Sequence, residues 1–376
     1  MSRLIFALFL LLFSVSFSPP ANADALASYP ECTNAPHRNL CLVLERVRDF
    51  SYVSYTEESL EAKVLSTAKI NPENIPVLSE CAKYPYSKVC SVVMREATRP
   101  LRRQKQEYFL SDVLARFIDH YYYWSPYRKA DFGSTETIIP WGGGQGRVDI
   151  YDGAIEPQDS IFAEYGVSRS INFRSSYKDG ICFVYWSEFD MRVVPKFDSA
   201  IEKCQSLGGM KGIIIDIRGN PGGNLRSTLT LASEFLPENA ILMYDQDKDT
   251  QPLSPVQGWY STKHHLAKIP LVILVDRDSA SASEILAGSL QCYKRAVILS
   301  SDSRTYGKYT GQQIFSFDDS SWAVAFTVTE WYLPNKKSNK GGLTPDFVIP
   351  KGQIMQKAKD VLLSFPYSLP VILSPE

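Results

Sequence analysis

The sequence predicts an α/β core preceded by a small helical region stapled by disulfides. Three observations carry that expectation. From Gly180 onward, apolar runs of strand length alternate with amphipathic runs of helix length, the pattern of repeated strand-helix-strand units. Upstream, Glu31-Cys32 followed by Pro36 and Cys41 recurs at the same offsets as Glu80-Cys81 followed by Pro85 and Cys90. With 376 residues and 44% hydrophobic content, the chain can bury a sizeable core and has room for two domains.

Residues 1–23 read as a targeting segment rather than as structure. Arg3 precedes an apolar run from Leu4 to Phe17, then Pro19-Pro20 and Ala21-Asn22-Ala23, which is a basic start, an apolar stretch and an Ala-x-Ala cleavage site. The run falls short of the ~20 apolar residues that a membrane span needs. The expectation is export to a periplasm or beyond, a cut after Ala23 or a few residues later, and no membrane span after it.

Residues 24–108 read as short helices. Ser59 to Ala68 and Val92 to Leu101 have helical periodicity, and Pro72 and Pro76 interrupt the path. The four repeated cysteines allow three connectivities, and both two local loops and a cross-link of two helices stay open. Either arrangement stabilises a small domain by ~2–4 kcal/mol per bridge. Their spacing does not suit a twin-cysteine zinc site. Residues 109–179 read as a connecting helix, Leu110 to His120, running into Tyr121-Tyr122-Tyr123-Trp124, a cluster suited to packing between domains. β-Hairpins follow, with Val148 to Ile150 and Ser170 to Phe173 as strand candidates. Trp141 to Gly146 is glycine-rich, but a strand pattern rather than a helix follows it, which suits a flexible loop and not a phosphate cradle.

Residues 180–376 carry the alternation. Ile181 to Trp186 reads as a strand. Pro195 to Leu207 reads as a helix with proline in its first turn, Gly208 at its end, and Phe197, Ala200, Ile201 and Cys204 as its buried stripe. Ile213 to Asp216 is a strand buried on both faces by its continuous apolar pattern, and Asn224 to Phe235 is the next helix. Ile241 to Tyr244, Leu271 to Val275 and Ala296 to Leu299 are further strands. Cys182, Cys204 and Cys292 fall in core-like segments; a Cys182–Cys204 bridge and three buried thiols both stay open. With seven cysteines, at least one is unpaired within the chain.

A net charge of -1 gives no case for a nucleic-acid partner through bulk electrostatics. Arg99, Arg102, Arg103 and Lys105 read as a solvated helix face. The chemistry concentrates elsewhere. Ser279-Ala280-Ser281-Ala282-Ser283-Glu284 lies between the strand Leu271 to Val275 and the helical run Ile285 to Leu290. A hydroxyl there faces unpaired N–H groups and a helix dipole that favours developing negative charge. Ser281-x-x-Glu284 is also a capping box, so a purely local role competes. Downstream, Thr305-Tyr306-Gly307-Lys308 puts a lysine on a loop, where it could act as a base. Gly222-Gly223 before the helix at Asn224 lets backbone approach a substrate and offers N–H donors. The histidines, His37, His120, His264 and His265, do not sit beside strand-end motifs, and the adjacent pair diverges too much to ligate a metal together.

Four motifs occur in one order: Asp216 to Gly223, the serine-alanine repeat, Gly307-Lys308 with Gln312, and Gly341-Gly342-Leu343-Thr344-Pro345-Asp346. Together they resemble the C-terminal processing (tail-specific) serine proteases, relatives of tricorn protease and the interphotoreceptor retinoid-binding protein, over Gly180 to Leu363. The resemblance implies a ClpP/crotonase-like superfold and a serine endopeptidase that needs no metal or cofactor and acts on proteins or peptides. It implies Ser281 as nucleophile, Lys308 as base, Gln312 as the residue that orients the amine, and an oxyanion hole from Gly222 or Gly223 with Ala282. Ser279 and Ser283 are then small neighbours that let substrate approach, and Asp216 with Arg218 an ion pair holding the turn. An exposed lysine is protonated at neutral pH, so Lys308 has to be buried away from carboxylates, with Tyr306 and the strand Ala296 to Leu299 around it. Such proteases usually carry a PDZ domain ahead of the core. The stretch from Asp131 to Gly180 is too short for one, so that mode of substrate delivery is not carried over. Homo-oligomerisation is left open. The competing expectation is an inactive member that binds a peptide or apolar ligand, and a third is an envelope protein whose helical half does the binding.

Overall fold

The computed structural model describes residues 29–35, 37–51, 53–67, 70–97, 122–124, 172–247, 253–258, 266–316 and 323–364. The expectations for residues 1–28, the basic cluster 99–105, the helix 110–120, the glycine-rich loop 141–146, the first hairpin and His120, His264 and His265 lie outside these.

Three helices build the N-terminal region: α1 (Arg38–Phe50), α2 (Glu57–Thr67) and α3 (Ser87–Ala97). Leu40, Leu44 and Val47 of α1, Leu60 and Val64 of α2, and Val89 and Val93 of α3 recur at three- and four-residue spacing and are all buried together. Cys32–Cys41 and Cys81–Cys90 are disulfides, so the open choice resolves as two local loops. Each ties the approach segment to the first turn of its helix, making the sequence repeat a structural one. Helix α3 begins ahead of the expected Val92 because α2 supplies its cap: the N–H groups of Lys88 and Val89 donate to Glu61 Oε1 at 2.8 and 3.1 Å, and that of Tyr86 donates to Glu57.

The α/β half is organised around a six-stranded sheet. Its strands are β2 (Phe173–Lys178), β3 (Ile181–Trp186), β4 (Gly212–Asp216), β7 (Leu271–Val275), β8 (Val297–Ser300) and β11 (Phe347–Val348). The order is β11-β8-β7-β4-β3-β2, parallel throughout except for the β2–β3 hairpin. Strands β4 and β7 are buried along their whole length, as continuous apolar runs require. Helices α4 (Val193–Ser206), α5 (Leu225–Ser233) and α6 (Ala282–Cys292) share the larger core with one face of this sheet. The other face is covered by α7 (Ile354–Ser364), whose Ile354, Ala358 and Leu362 pack on Ile214, Val272, Leu274 and Leu299. Cys182 of β3 and Cys204 of α4 form a disulfide, and Cys292 is a buried free thiol.

A second, antiparallel sheet stands beside the first. Its centre is β10 (Ala323–Tyr332), paired on one side with β9 (Thr310–Ser316) and on the other with β1 (Tyr122–Trp124) and β5 (Ile241–Asp247); β6 (Ser254–Gln257) adds to β5. Residues 122–124, part of the aromatic cluster, take a strand conformation here. None of the described helices is long and apolar enough to cross a membrane.

Candidate active site

Strand β4 ends in Asp216 and β7 in Val275, at neighbouring C-terminal edges of the parallel sheet, where open α/β sheets place their sites. The turn after β4 is held as expected: Arg218 Nε donates to Asp216 Oδ1 at 2.8 Å, and its Nη2 to Oδ2 at 2.6 Å. Asn220 then locks this turn to the next one. Its side chain donates to the Trp186 carbonyl at 3.1 Å, and its own carbonyl accepts the Ala280 N–H at 3.0 Å and the Ser283 hydroxyl at 2.9 Å. Asn224 caps α5 by accepting the Ser227 N–H at 2.9 Å.

Ser281 is the first residue before α6 and has φ +52° and ψ -114°, a conformation disfavoured for any residue with a Cβ. Close packing holds it there. Gly222 lies against it: a Cβ on Gly222 would sit 2.8 Å from the Ala280 carbonyl oxygen and from Ser281 Cβ. Only glycine fits, at φ +106°. Ser281 and Glu284 also make the capping-box arrangement, with the Ser281 N–H donating to Glu284 at 2.9 Å. The capping arrangement and this strained turn, a serine elbow, therefore coexist at one residue. Ser279 and Ser283 are not at a substrate face. Both are fully buried; the Ser279 hydroxyl donates to the Ile217 carbonyl at 2.9 Å, as that of Ser283 does to Asn220.

Glu284 organises more than its helix. Besides the Ser281 N–H, its carboxylate accepts the Gly307 N–H at 2.7 Å, the Lys308 N–H at 2.9 Å and the Thr305 hydroxyl at 2.5 Å. One buried side chain thus ties the serine elbow to the strap that carries the lysine. Burial pushes the Glu284 carboxyl up, against the opposing pull of these hydrogen bonds. The strap is braced from behind by the closing glycine motif. A Cβ on Gly307 would meet the Gly342 nitrogen at 2.6 Å, and one on Gly342 the Thr305 carbonyl oxygen at 2.2 Å. Backbone lies flat on backbone, and the Leu343 N–H donates to Thr305 Oγ1 at 2.7 Å. Asp346, at the motif's end, accepts the Ile298 N–H at 2.7 Å and fixes the motif to β8.

Lys308 is 6% exposed. Burial pulls its amine down from 10.5 to about 7, while the Glu284 carboxylate acts in the opposite sense and is the weaker influence. The expected seclusion is present, but a carboxylate lies nearby, contrary to the sequence expectation. Tyr306, expected as part of the shield, is 38% exposed. The amine donates to Gln312 Oε1 at 3.4 Å, a long contact. Among the proposed oxyanion donors, Gly222 directs its N–H to Asn220 Oδ1 at 2.9 Å. Gly223 and Ala282 remain as the candidate pair. The roles of Glu284 beyond its helix, and of Thr305 and Asn220, were missed from sequence. Their signal was adjacency, since each lies within or beside a motif already singled out. No cluster able to hold a metal ion occurs among the described residues.

Comparison with known proteins finds similarity over this part of the chain. A family model described as peptidase family S41 matches residues 180–349. The chain is 30% identical over 193 residues to the chloroplastic carboxyl-terminal-processing peptidase 3 of Arabidopsis thaliana, covering 50% of this chain and 36% of that protein. It is 33% identical over 168 residues to a carboxyl-terminal-processing protease of Synechocystis, covering 44% of this chain and 37% of that protein. The matches thus span little more than a third of the length of these curated relatives. A solved lipoprotein from Streptococcus agalactiae shares the fold at 14% identity, with a TM-score of 0.52 over 88% of this chain and 96% of that one. Residues 180–349, which hold Ser281, the Glu284 tie and the lysine strap, are the stretch that matches the model of peptidase family S41.

Proposed function

We propose that this chain is an exported serine endopeptidase of the C-terminal processing type, acting through a Ser281–Lys308 dyad. The observation that carries the reading is a buried lysine amine with a pKa near 7, on a strap hydrogen-bonded through Glu284 to the backbone of a strained serine at a helix start. An amine that is substantially neutral at physiological pH can take the serine proton.

In the proposed sequence, Ser281 Oγ attacks the peptide carbonyl carbon as Lys308 Nζ takes its proton. The N–H groups of Gly223 and Ala282 receive the developing oxyanion, each donor contributing ~3 kcal/mol in the transition state. The Lys308 ammonium returns the proton to the leaving amine as the C–N bond breaks, which leaves an acyl-Ser281 ester. Water, deprotonated by the same lysine, attacks the ester; the acyl C–Oγ bond breaks as the Lys308 ammonium returns the proton to Ser281 Oγ, and the new carboxyl terminus leaves. Gln312 orients the amine.

Digestion of fluorescently labelled casein by the full chain and by Ser281→Ala tests this. Turnover by the native chain and its loss in the variant support the assignment. Equal cleavage by both, or none by either, removes it and favours a binding protein that keeps the fold.

A further inference from the structure

We propose that Val328 is a positioning residue for the base: it keys β10 to the core of the N-terminal helices and thereby sets Gln312 against the Lys308 amine. The proposal rests on the dyad reading above and concerns what holds that dyad in register.

The starting observation is an irregularity in an otherwise regular ladder. Strands β9 and β10 pair residue for residue from Ala323↔Ser316 to Thr327↔Gln312, and then the register shifts, with Thr329 opposite Gly311. Val328 is the extra residue of a β-bulge, placed directly after the partner of Gln312. Its side chain is half-buried. It packs against the buried cluster formed by α1, α2 and α3, the cluster that the two local disulfides staple. The bulge is fixed on both flanks. Gly311 leaves no room for a side chain, since a Cβ there would sit 2.4 Å from Thr329 Cγ2. Thr329 is anchored to β5, its hydroxyl donating to the Asp245 carboxyl group and lying 2.9 Å from the Gln246 carbonyl oxygen.

A bulge bends its own strand and raises the local twist, which the paired strand follows; here the partner is β9, where Gln312 takes its hydrogen bond from Lys308 at 3.4 Å. Apolar contact with the helical core holds Val328 in the bulged position. Loss of that contact lets β10 relax toward regular pairing, which displaces Gln312 relative to the amine. The helical region is thus joined to the chemistry through packing at Val328, and the Gln312 contact is the element that responds.

The experiment is a double-mutant cycle on the full chain, run on variants that cooperative unfolding shows to be folded at the assay temperature. Val328→Ala and Gln312→Ala are made singly and together, with Val328→Ile as the conservative variant. Casein turnover is read for kcat, KM and the pH dependence of kcat/KM. Val328→Ala is expected to lower kcat about tenfold, with KM changed by less than about twofold, because the loss is one of alignment and not of substrate contact. It should also shift the apparent base pKa in the same direction as Gln312→Ala does. The double variant should fall within about twofold of Gln312→Ala alone, since both act on one contact. Val328→Ile should recover most of the loss. Multiplicative losses in the double variant overturn the proposal, as does a Val328→Ala enzyme that is less stable yet unchanged in kcat and pH profile. Either result leaves the dyad itself standing, whereas an active Ser281→Ala chain removes the dyad first.

Discussion

Replacing Lys308 with methionine removes the charge and keeps most of the apolar stem, and its effect on stability can be worked out with sign and slope. The amine titrates near 7 in the fold and near 10.5 when exposed. Between those values the unfolded chain holds a proton that the folded chain does not, so native stability rises as pH rises through this window. Below about 7 both forms are protonated and the burial penalty is at its full value. At about 1.4 kcal/mol per pKa unit, that penalty is on the order of 4–5 kcal/mol, and it shrinks to about 2 kcal/mol by pH 9. Lys308→Met is therefore expected to be inactive yet more stable than the native chain at pH 7.5, with the difference closing by about 1.4 kcal/mol per pH unit toward pH 9.5. Urea unfolding of both proteins with disulfides intact measures the difference. The packing of the methionine moves the whole curve up or down, but not its slope. In parallel, native kcat/KM should rise with pH around 7 and then level. A stability difference that stays flat with pH, together with activity still climbing toward pH 10, would refute the argument that this amine is neutral in the working enzyme.

Three further outcomes follow from the same geometry. Glu284→Gln keeps the shape but places an amide NH2 among four donors, so it should lower kcat by about 10²-fold or more and stability by about 2–3 kcal/mol, read by casein turnover and urea midpoint. Gly222→Ala sets a Cβ against the Ala280 carbonyl at a positive φ; it should abolish turnover and cost more than the ~1–2 kcal/mol of backbone strain alone, and a fully active variant would contradict the elbow described here. Replacing Cys182 and Cys204 by serine opens a loop of sequence separation 22 and should cost about 3.4 kcal/mol by the loop-entropy relation. Opening Cys32–Cys41, of separation 9, should cost about 2.6 kcal/mol, and thermal unfolding of the two variants would rank them.

How far these features were legible differs by their physical origin. Strands such as Leu271–Val275 matched their expected limits because continuous apolar runs bounded by polar residues encode burial on two faces. The start of α3 did not match, because its cap comes from Glu61 on another helix, and periodicity within one segment cannot report that. Covering one sheet face with Ile354, Ala358 and Leu362 was likewise a tertiary outcome. In the site, Ser281, Lys308 and the Gly222-Gly223 turn stood out because glycines and serines at strand ends are locally distinctive. The second function of Glu284 was hidden behind its first: a capping box accounts fully for a glutamate at that offset, so nothing in the sequence asked for its contacts with Gly307 and Lys308. The same masking affected Ser279 and Ser283, whose spacing around Ser281 suggested openness where the fold uses their hydroxyls as internal pins.

The contact of Gly307 with Gly342 has a consequence for how such a chain can vary. Where two main chains touch without side chains between them, no compensating substitution is available, because there is nothing to shrink when something else grows. Ser303 and Arg304, just before that contact, are exposed and meet no such constraint. From Thr305 to Gly307 the chain runs against the main chain of Gly341 and Gly342, so a side chain grown at Gly307 or Gly342 has nowhere to go.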